Sequence, residues 1–485
     1  MEIKELNPAI VWKNFYELTR IPRPSKKEAK AVEYLYNFGK SLGLETYKDE
    51  IGNIIIRKPA TPGMENKKGV ILQGHIDMVP QKNADKVHNF ETDPIEAWVD
   101  GEWVRAKGTT LGADNGLGVA AALSVLESGD IKHGPVEVLV TVDEETGMTG
   151  ARELKPGVLK GDILINLDSE TEGELYIGCA GGMDVTATSD YSLQPSPAGY
   201  KAFVLNVKGF KGGHSGMDIV LYRANANKVA VRVLLPLLRD LGAKLVSIEG
   251  GSLRNAIPRE AFAQILIPED KVSAAEKLVA EVQSAVKKEY SVADPDGVIF
   301  LESLASVPAE YIDDKDALKA LKAVNACPNG VWRMSDEMKG LVETSNNTAI
   351  VKTENGKFFV KTLLRSSVDT AKDAMAEEIR SVFELAGFDV TLSGGYSGWA
   401  PNSASPILHT MKKVYEELYG VQPAVMAIHA GLECGILGGT YPNWDMVSCG
   451  PTIMSPHSPD ERTNIASVEK WWKFVVATLE NIPEK

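Results

Sequence analysis

The chain has 485 residues, of which 44% are hydrophobic, 24% charged and 7% aromatic. That balance supplies apolar material for more than one core and excludes a disordered, collagen-like or disulfide-stapled chain. The 52 basic and 66 acidic residues leave a net charge of −14 with no Lys/Arg-rich block, so the footprint of a nucleic-acid binder is absent.

Residues 14–20 and 27–42 have apolar positions at helical spacing, interrupted by a turn at Pro22 and Pro24. Residues 70–73 form an apolar run read as a buried strand ending at Gly74-His75, and residues 137–142 and 163–167 are two more. A helix of Ala, Leu and Val fills 116–127. Strands alternating with helices predict an α/β layer around a largely parallel sheet. After Gly182 the texture changes. Strands are expected at 202–208, 261–267, 347–352 and 357–365, and helices at 217–241, 274–289 and 369–386. That pattern predicts an α+β unit with one sheet face covered. A glycine-rich junction at 394–399 leads to helices at 407–419 and 468–481. The expected division is a catalytic domain from 1–181 and 395–485, with 182–394 inserted.

Cys179, Cys327, Cys434 and Cys449 are widely spaced, with no Cys-x-x-Cys pair, which predicts reduced thiols and a cytoplasmic setting. The first 20 residues have no apolar signal region, and no stretch approaches a membrane span.

Several short segments carry chemistry. His75-Ile76-Asp77 ends the first buried strand, with His75 and Asp77 on one face of an extended segment. Asp77 could therefore hydrogen-bond the outer nitrogen of a metal-bound His75. Asp114 lies between Gly112 and Gly116 at a helix start, where a lone Asp is also an ordinary N-cap. Asp143-Glu144-Glu145 follows the second strand, at the carboxyl edge that ligands favour. Asp168 follows the third, and His457 lies in a late proline-rich loop. Each alone is commonplace; together they place His75, Asp114, Glu145, Asp168 and His457 as metal ligands, with Glu144 left as a base. Mixed His and carboxylate donors suit Zn²⁺, Mn²⁺ or Co²⁺. Five donors suit two ions about 3.5–4 Å apart sharing one carboxylate.

The segments Gln73–Val79, Thr110–Gly116 and Val142–Gly147 resemble the zinc-dependent exopeptidases of the carboxypeptidase G/aminoacylase group. Within that group, Gly213-His214-Ser215-Gly216, the run from Gly251 to Pro258 and the run from His429 to Gly435 resemble the aminoacyl-histidine dipeptidases (cytosolic non-specific dipeptidases). The likeness spans nearly the whole chain. It implies that His75 and Asp168 bind one ion, Glu145 and His457 the other, and that Asp114 bridges them. It implies that Asp77 orients His75, that Glu144 is the general base, and that the Asp114-Asn115 peptide is cis. Asp at position 168 matches the aminopeptidase and dipeptidase members of the group. The inserted unit resembles the family's lid, with His214 donating to the developing oxyanion. Asn255 and Arg365 are candidates to hold the substrate carboxylate, and Glu433 its ammonium group.

The expectation is therefore a cytoplasmic metallodipeptidase with two divalent ions, zinc first, with cobalt or manganese as alternatives. It would cleave unblocked dipeptides of the Xaa-His type and broader, with no nucleic-acid or membrane partner. Pairing through the lid as a homodimer is open. The rival readings are an N-acyl amino acid deacylase, a tripeptidase, or a metal-binding protein without turnover.

Overall fold

Four apolar segments, Val136–Thr141, Val70–His75, Ile163–Asn166 and Asp445–Ser448, lie side by side and parallel in the computed structural model of the chain, which describes residues 2–485. The first three are buried throughout, as strands covered on both faces must be. Ile54–Lys58 and Glu45–Lys48 extend the sheet antiparallel on one side. Glu174–Cys179 and Ala424–Ile428 complete the eight strands on the other. The parallel register pairs His75 with Thr141 and Gln73 with Asn166, so the carboxyl ends of the strands share one edge. The observed sheet is thus mixed, with a parallel centre.

Helix Ala113–Glu127 follows a left-handed Gly112 (φ 69°) and opens irregularly, since Asp114 and Asn115 depart from helical dihedrals. The peptide between them is cis. Regular helix begins at Gly116, where the apolar pattern starts.

The chain divides into two compact units. The first comprises Met1–Gly178, Pro401–Ala427 and Leu432–Lys485, and the second Cys179–Ala400 with Ile428–Gly431. The second unit holds a nine-stranded sheet in which every pairing is antiparallel. Helices Ala226–Leu241, Val272–Glu289, Asp314–Ala326 and Asp369–Leu385 share one apolar core with its strands. The strand Ala261–Pro268 begins with alternating buried and exposed residues, the mark of a sheet open on its other face.

Two expectations are corrected here. The helix expected from 217 begins at Ala226, because Tyr222 is left-handed (φ 53°) and Asn225 caps the helix by accepting the Lys228 N–H. Residues 394–396 belong to an edge strand, Asp389–Tyr396, paired with Gly181–Asp190. Its register shifts between Ser393 and Tyr396, which is where Gly394 and Gly395 sit.

Gly118 lies in helix Ala113–Glu127 where a Cβ would meet the Leu167 carbonyl oxygen at 2.4 Å and Asn115 Oδ1 at 2.6 Å. At an open helix position Gly to Ala stabilises by about 1 kcal/mol. Here Gly118→Ala should instead destabilise by about 1–3 kcal/mol through overpacking, read as a lower urea midpoint.

Candidate metal centre and active site

The parallel strand ends deliver the charged residues. His75 is the last residue of its strand, Glu144 and Glu145 follow the next, and Asp168 lies two residues beyond Asn166. His457 arrives on the loop between the short strands Ile453–Met454 and Arg462–Asn464, which follow Asp445–Ser448 in the chain. The first unit brings all five expected ligands together. His75 Nε2 is 3.1 Å from Asp114 Oδ1 and 3.4 Å from Asp168 Oδ1. His457 Nε2 is 3.0 Å from Asp114 Oδ2 and 3.0 Å from Glu145 Oε2. Asp114 thus divides its two oxygens between two histidines. Oxygen or nitrogen atoms of His75, Asp114 and Glu145 lie within 4.8 Å of one another, and Glu145 Oε1 is buried without a partner. Two His/carboxylate sets sharing one carboxylate, with an orphaned buried oxygen, fit a divalent-ion site. Glu28, Asp77 and Asp143 form a second close acidic group. There the Asp77 oxygens take N–H and O–H donors, and those of Asp143 accept the Thr146 and Thr149 hydroxyls.

Asp77 is fully buried. Its Oδ1 lies 3.3 Å from His75 Nδ1 and accepts the Glu144 N–H at 2.9 Å. Its Oδ2 accepts the Glu145 N–H at 3.2 Å and the Ser25 hydroxyl at 2.8 Å. One carboxylate therefore aims the imidazole and anchors the turn that carries Glu144 and Glu145. Burial would raise Asp77, but His75 and these donors hold it down at about 2.

Charge crowding shifts the rest. Burial alone would lower His75, yet Asp168, Asp114 and Asp77 hold it well above the usual range. Hydrogen bonds to Asp114 and Glu145 push His457 up to about 11. Burial, with Asp168, Glu433 and Glu145 nearby, raises Glu144 well above an ordinary carboxylate. Burial pushes Asp168 to about 6 and Glu433 to about 7. Glu433 is buried, its Oε2 accepting from Gln73 at 2.6 Å and Thr141 at 2.7 Å, while Oε1 has no partner.

His214, Asn255 and Arg365 belong to the second unit. A two-residue ladder pairs His214 with Ala256, and the Asn255 carbonyl accepts the Ser215 N–H at 2.8 Å; Asn255 itself is exposed. His214 Nδ1 accepts the Gly216 and Met217 N–H groups at 3.2 and 3.1 Å, which leaves its proton on Nε2. Burial and Arg365 lower its pKa, so the ring is a neutral donor. Arg365 is buried; its Nε donates to Ser215 Oγ at 3.3 Å and its Nη1 to Tyr396 OH at 3.1 Å. Among the described residues no carboxylate forms an ion pair with it. Burial, Arg365 and His214 also push His429 down to about 3, and its Nε2 lies 2.7 Å from Ser345 Oγ.

Sequence reasoning missed three residues of the first unit. Arg23 is buried between Pro22 and Pro24 and donates to the Ile76 and Gly112 carbonyls, each at 2.7 Å. Glu461 ends the His457 loop and is buried against residues 111–114. Glu170, two residues beyond Asp168, is pushed to about 8 by burial and by Asp114 and Asp168. Only Glu461 had a local signal, four residues past His457.

The chain belongs to Peptidase family M20/M25/M40, whose description matches residues 71–481. It is 46% identical over 484 residues, covering 100% of both chains, to the cytosol non-specific dipeptidase of Escherichia coli (strain K12). It is similar to the crystal structure of aminoacylhistidine dipeptidase from Vibrio alginolyticus, at 50% identity and a TM-score of 0.96, over 100% of this chain and 99% of that one. Aminopeptidase PepT from Bacillus cereus shares the fold at 16% identity and a TM-score of 0.57, over 98% and 99% of the two chains.

The shifts fix how the metal-free protein responds to pH. Unfolded His457 titrates near 6.5 and folded His457 near 11, so its contribution is complete below 6.5 and lost as pH climbs towards 11. Folded Glu170 keeps its proton up to about 8 where the unfolded side chain loses it near 4.5, so stability again falls with rising pH across that window. The thermal midpoint of chelated protein should fall between about pH 5 and about pH 9, and Glu170→Gln should remove part of the fall below about pH 8.

Proposed function

We propose that the protein is a metal-dependent dipeptidase acting on unblocked dipeptides. The observation that carries the reading is Asp114 shared between two His/carboxylate sets, with Glu144 anchored beside them. Identity of 46% over full length to a cytosol non-specific dipeptidase, and of 50% to an aminoacylhistidine dipeptidase, supports the substrate class. His75 and Asp168 would hold one ion, Glu145 and His457 a second, with Asp114 common to both. Zinc is the proposed ion, with cobalt and manganese as alternatives, because the donors are imidazole and carboxylate without thiolate. Such ions supply Lewis-acid activation of water and of the scissile carbonyl.

The protein's own groups do the rest. Glu144 takes a proton from the attacking water and returns it to the leaving nitrogen. Burial raises its pKa above that of an ordinary carboxylate, which makes it a stronger base. Asp77 keeps His75 and Glu144 in register through the bonds described above. His214, neutral with its proton on Nε2, would donate to the developing oxyanion. Arg365, buried with no carboxylate partner, would take the free carboxylate of the substrate, with Asn255 beside the His214 ladder assisting. Glu433, with one free oxygen, is the proposed ammonium receptor.

The relative's name places that protein in the cytosol, and we propose the same compartment here. The four cysteines are buried. Among the described residues no helix is long and apolar enough to cross a membrane.

The test is hydrolysis by chelated protein before and after Zn²⁺, Mn²⁺ or Co²⁺ is restored. The panel would be Ala-His, β-Ala-His, Leu-Gly, Ala-Ala-Ala and N-acetyl-Met. Metal-restored cleavage confined to the free dipeptides is expected; cleavage of N-acetyl-Met alone would make the protein a deacylase. Glu144→Ala should lower kcat by at least about a hundredfold with metal uptake unchanged, and a near-normal kcat would remove it from the base role. Arg365→Lys should raise KM for free dipeptides about tenfold or more, from the loss of charged hydrogen bonds, and leave dipeptide amides unaffected.

A further inference from the structure

The loop that carries His457 ends on Glu461, a carboxylate with no task in the mechanism above. It is only 2% exposed. Its Oε2 accepts the backbone N–H groups of Leu111 at 2.7 Å and Gly112 at 3.0 Å. Its Oε1 accepts those of Ala113 at 2.8 Å and Asp114 at 3.2 Å. Four consecutive amides thus converge on one side chain. They need such an acceptor, because they lie in a buried, irregular segment ahead of the regular helix, and buried N–H groups must be paired.

The same loop is held from its carbonyl side. Arg23 Nη2 donates to the Gly112 carbonyl and Nη1 to the Ile76 carbonyl, each at 2.7 Å. A Cβ on Gly112 or Gly116 would lie 2.6 Å from Arg23 Nη2, so the guanidinium fits only because both are glycine. Residues 111–114 are therefore clamped between a buried anion on their amides and a buried cation on a carbonyl. The anion comes from the loop that presents His457, whose Nε2 lies 3.0 Å from Asp114 Oδ2. Two independent links join the same two loops, one through backbone amides and one through the site itself.

We infer that Glu461 is a positioning residue that sets the separation of Asp114 and His457 and so couples the two halves of the metal centre. The inference rests on Asp114 being the shared ligand. A glutamine at 461 would keep the size but leave one acceptor oxygen, and its amide nitrogen would confront two N–H donors. The Asp114 segment would then shift relative to His457. A purely structural role would lower the unfolding midpoint and leave the bound metal unchanged.

The experiment is Co²⁺ titration of chelated full-length protein, followed by visible absorption and calorimetry, for wild type, E461Q and E461D. Wild type should take up two equivalents. E461Q should bind at least one of them about tenfold or more weakly, the usual cost of losing a group that supports a ligand, and with an altered spectrum. E461D keeps both oxygens on a shorter stem and should fall between. E461Q with wild-type affinities and spectrum would overturn the inference, whatever its unfolding midpoint. Should E461Q not fold, wild-type cobalt binding by E461D would overturn it equally. Wild-type protein that takes up no cobalt would overturn the metal-centre reading itself, and this inference with it.

Discussion

Asp114 meets two histidines with one carboxylate, Oδ1 at 3.1 Å from His75 and Oδ2 at 3.0 Å from His457. Around that contact lie Glu145 and Asp168, with Glu144, Glu170 and Glu433 close enough to feel them. So many carboxylates out of water cannot stay ionised unless positive charge sits among them. In the metal-free protein that charge is carried by protons, which is why both imidazoles bind theirs tightly and Asp168, Glu433 and Glu170 titrate high. Divalent ions held there, as proposed above, would meet the same need with more charge in less space and would compete with those protons for the same atoms. Metal binding and pH response are two expressions of one electrostatic constraint.

The constraint works only if the donors cannot relax away. The sheet provides the first restraint, since parallel strands in register end at a common edge and deliver their following residues there. Side chains bonded to backbone provide the second. Asp77 holds the amides of Glu144 and Glu145, Glu461 holds those of residues 111–114, and Arg23 holds the carbonyls of Ile76 and Gly112. Each is buried, so its bonds do not compete with water. The loops at the sheet edge, which are usually the mobile part of an α/β unit, are here fixed by charge.

Much of this was legible in the residues. The buried strands announced themselves as continuous apolar runs, and the start of regular helix at Gly116 followed from the apolar period. The five proposed ligands were legible because each stands at a strand end or helix start inside a distinctive short motif. Elements whose limits are set by single residues were harder. The helix expected from 217 starts at Ala226, because a left-handed Tyr222 and the Asn225 cap override a pattern that looked helical further upstream. The edge strand Asp389–Tyr396 was hidden by the glycines that form its irregularity. Arg23 and Glu461 were invisible as a pair. They act on one loop from sequence separations of 89 and 349 residues to Gly112, and nothing local in either segment points to the other.

The sequence by itself determined which side chains can do chemistry and which strand or helix end presents each one, because apolar periodicity and short motifs are local properties. Only the tertiary structure decided that Asp114 splits its oxygens between His75 and His457, that Asp77 serves an imidazole and two amides at once, and that Arg365 is buried without an acidic partner. Those facts depend on distances of a few ångströms between segments far apart in the chain. Such distances are set by strand register and by long-range hydrogen bonds, which no local pattern encodes.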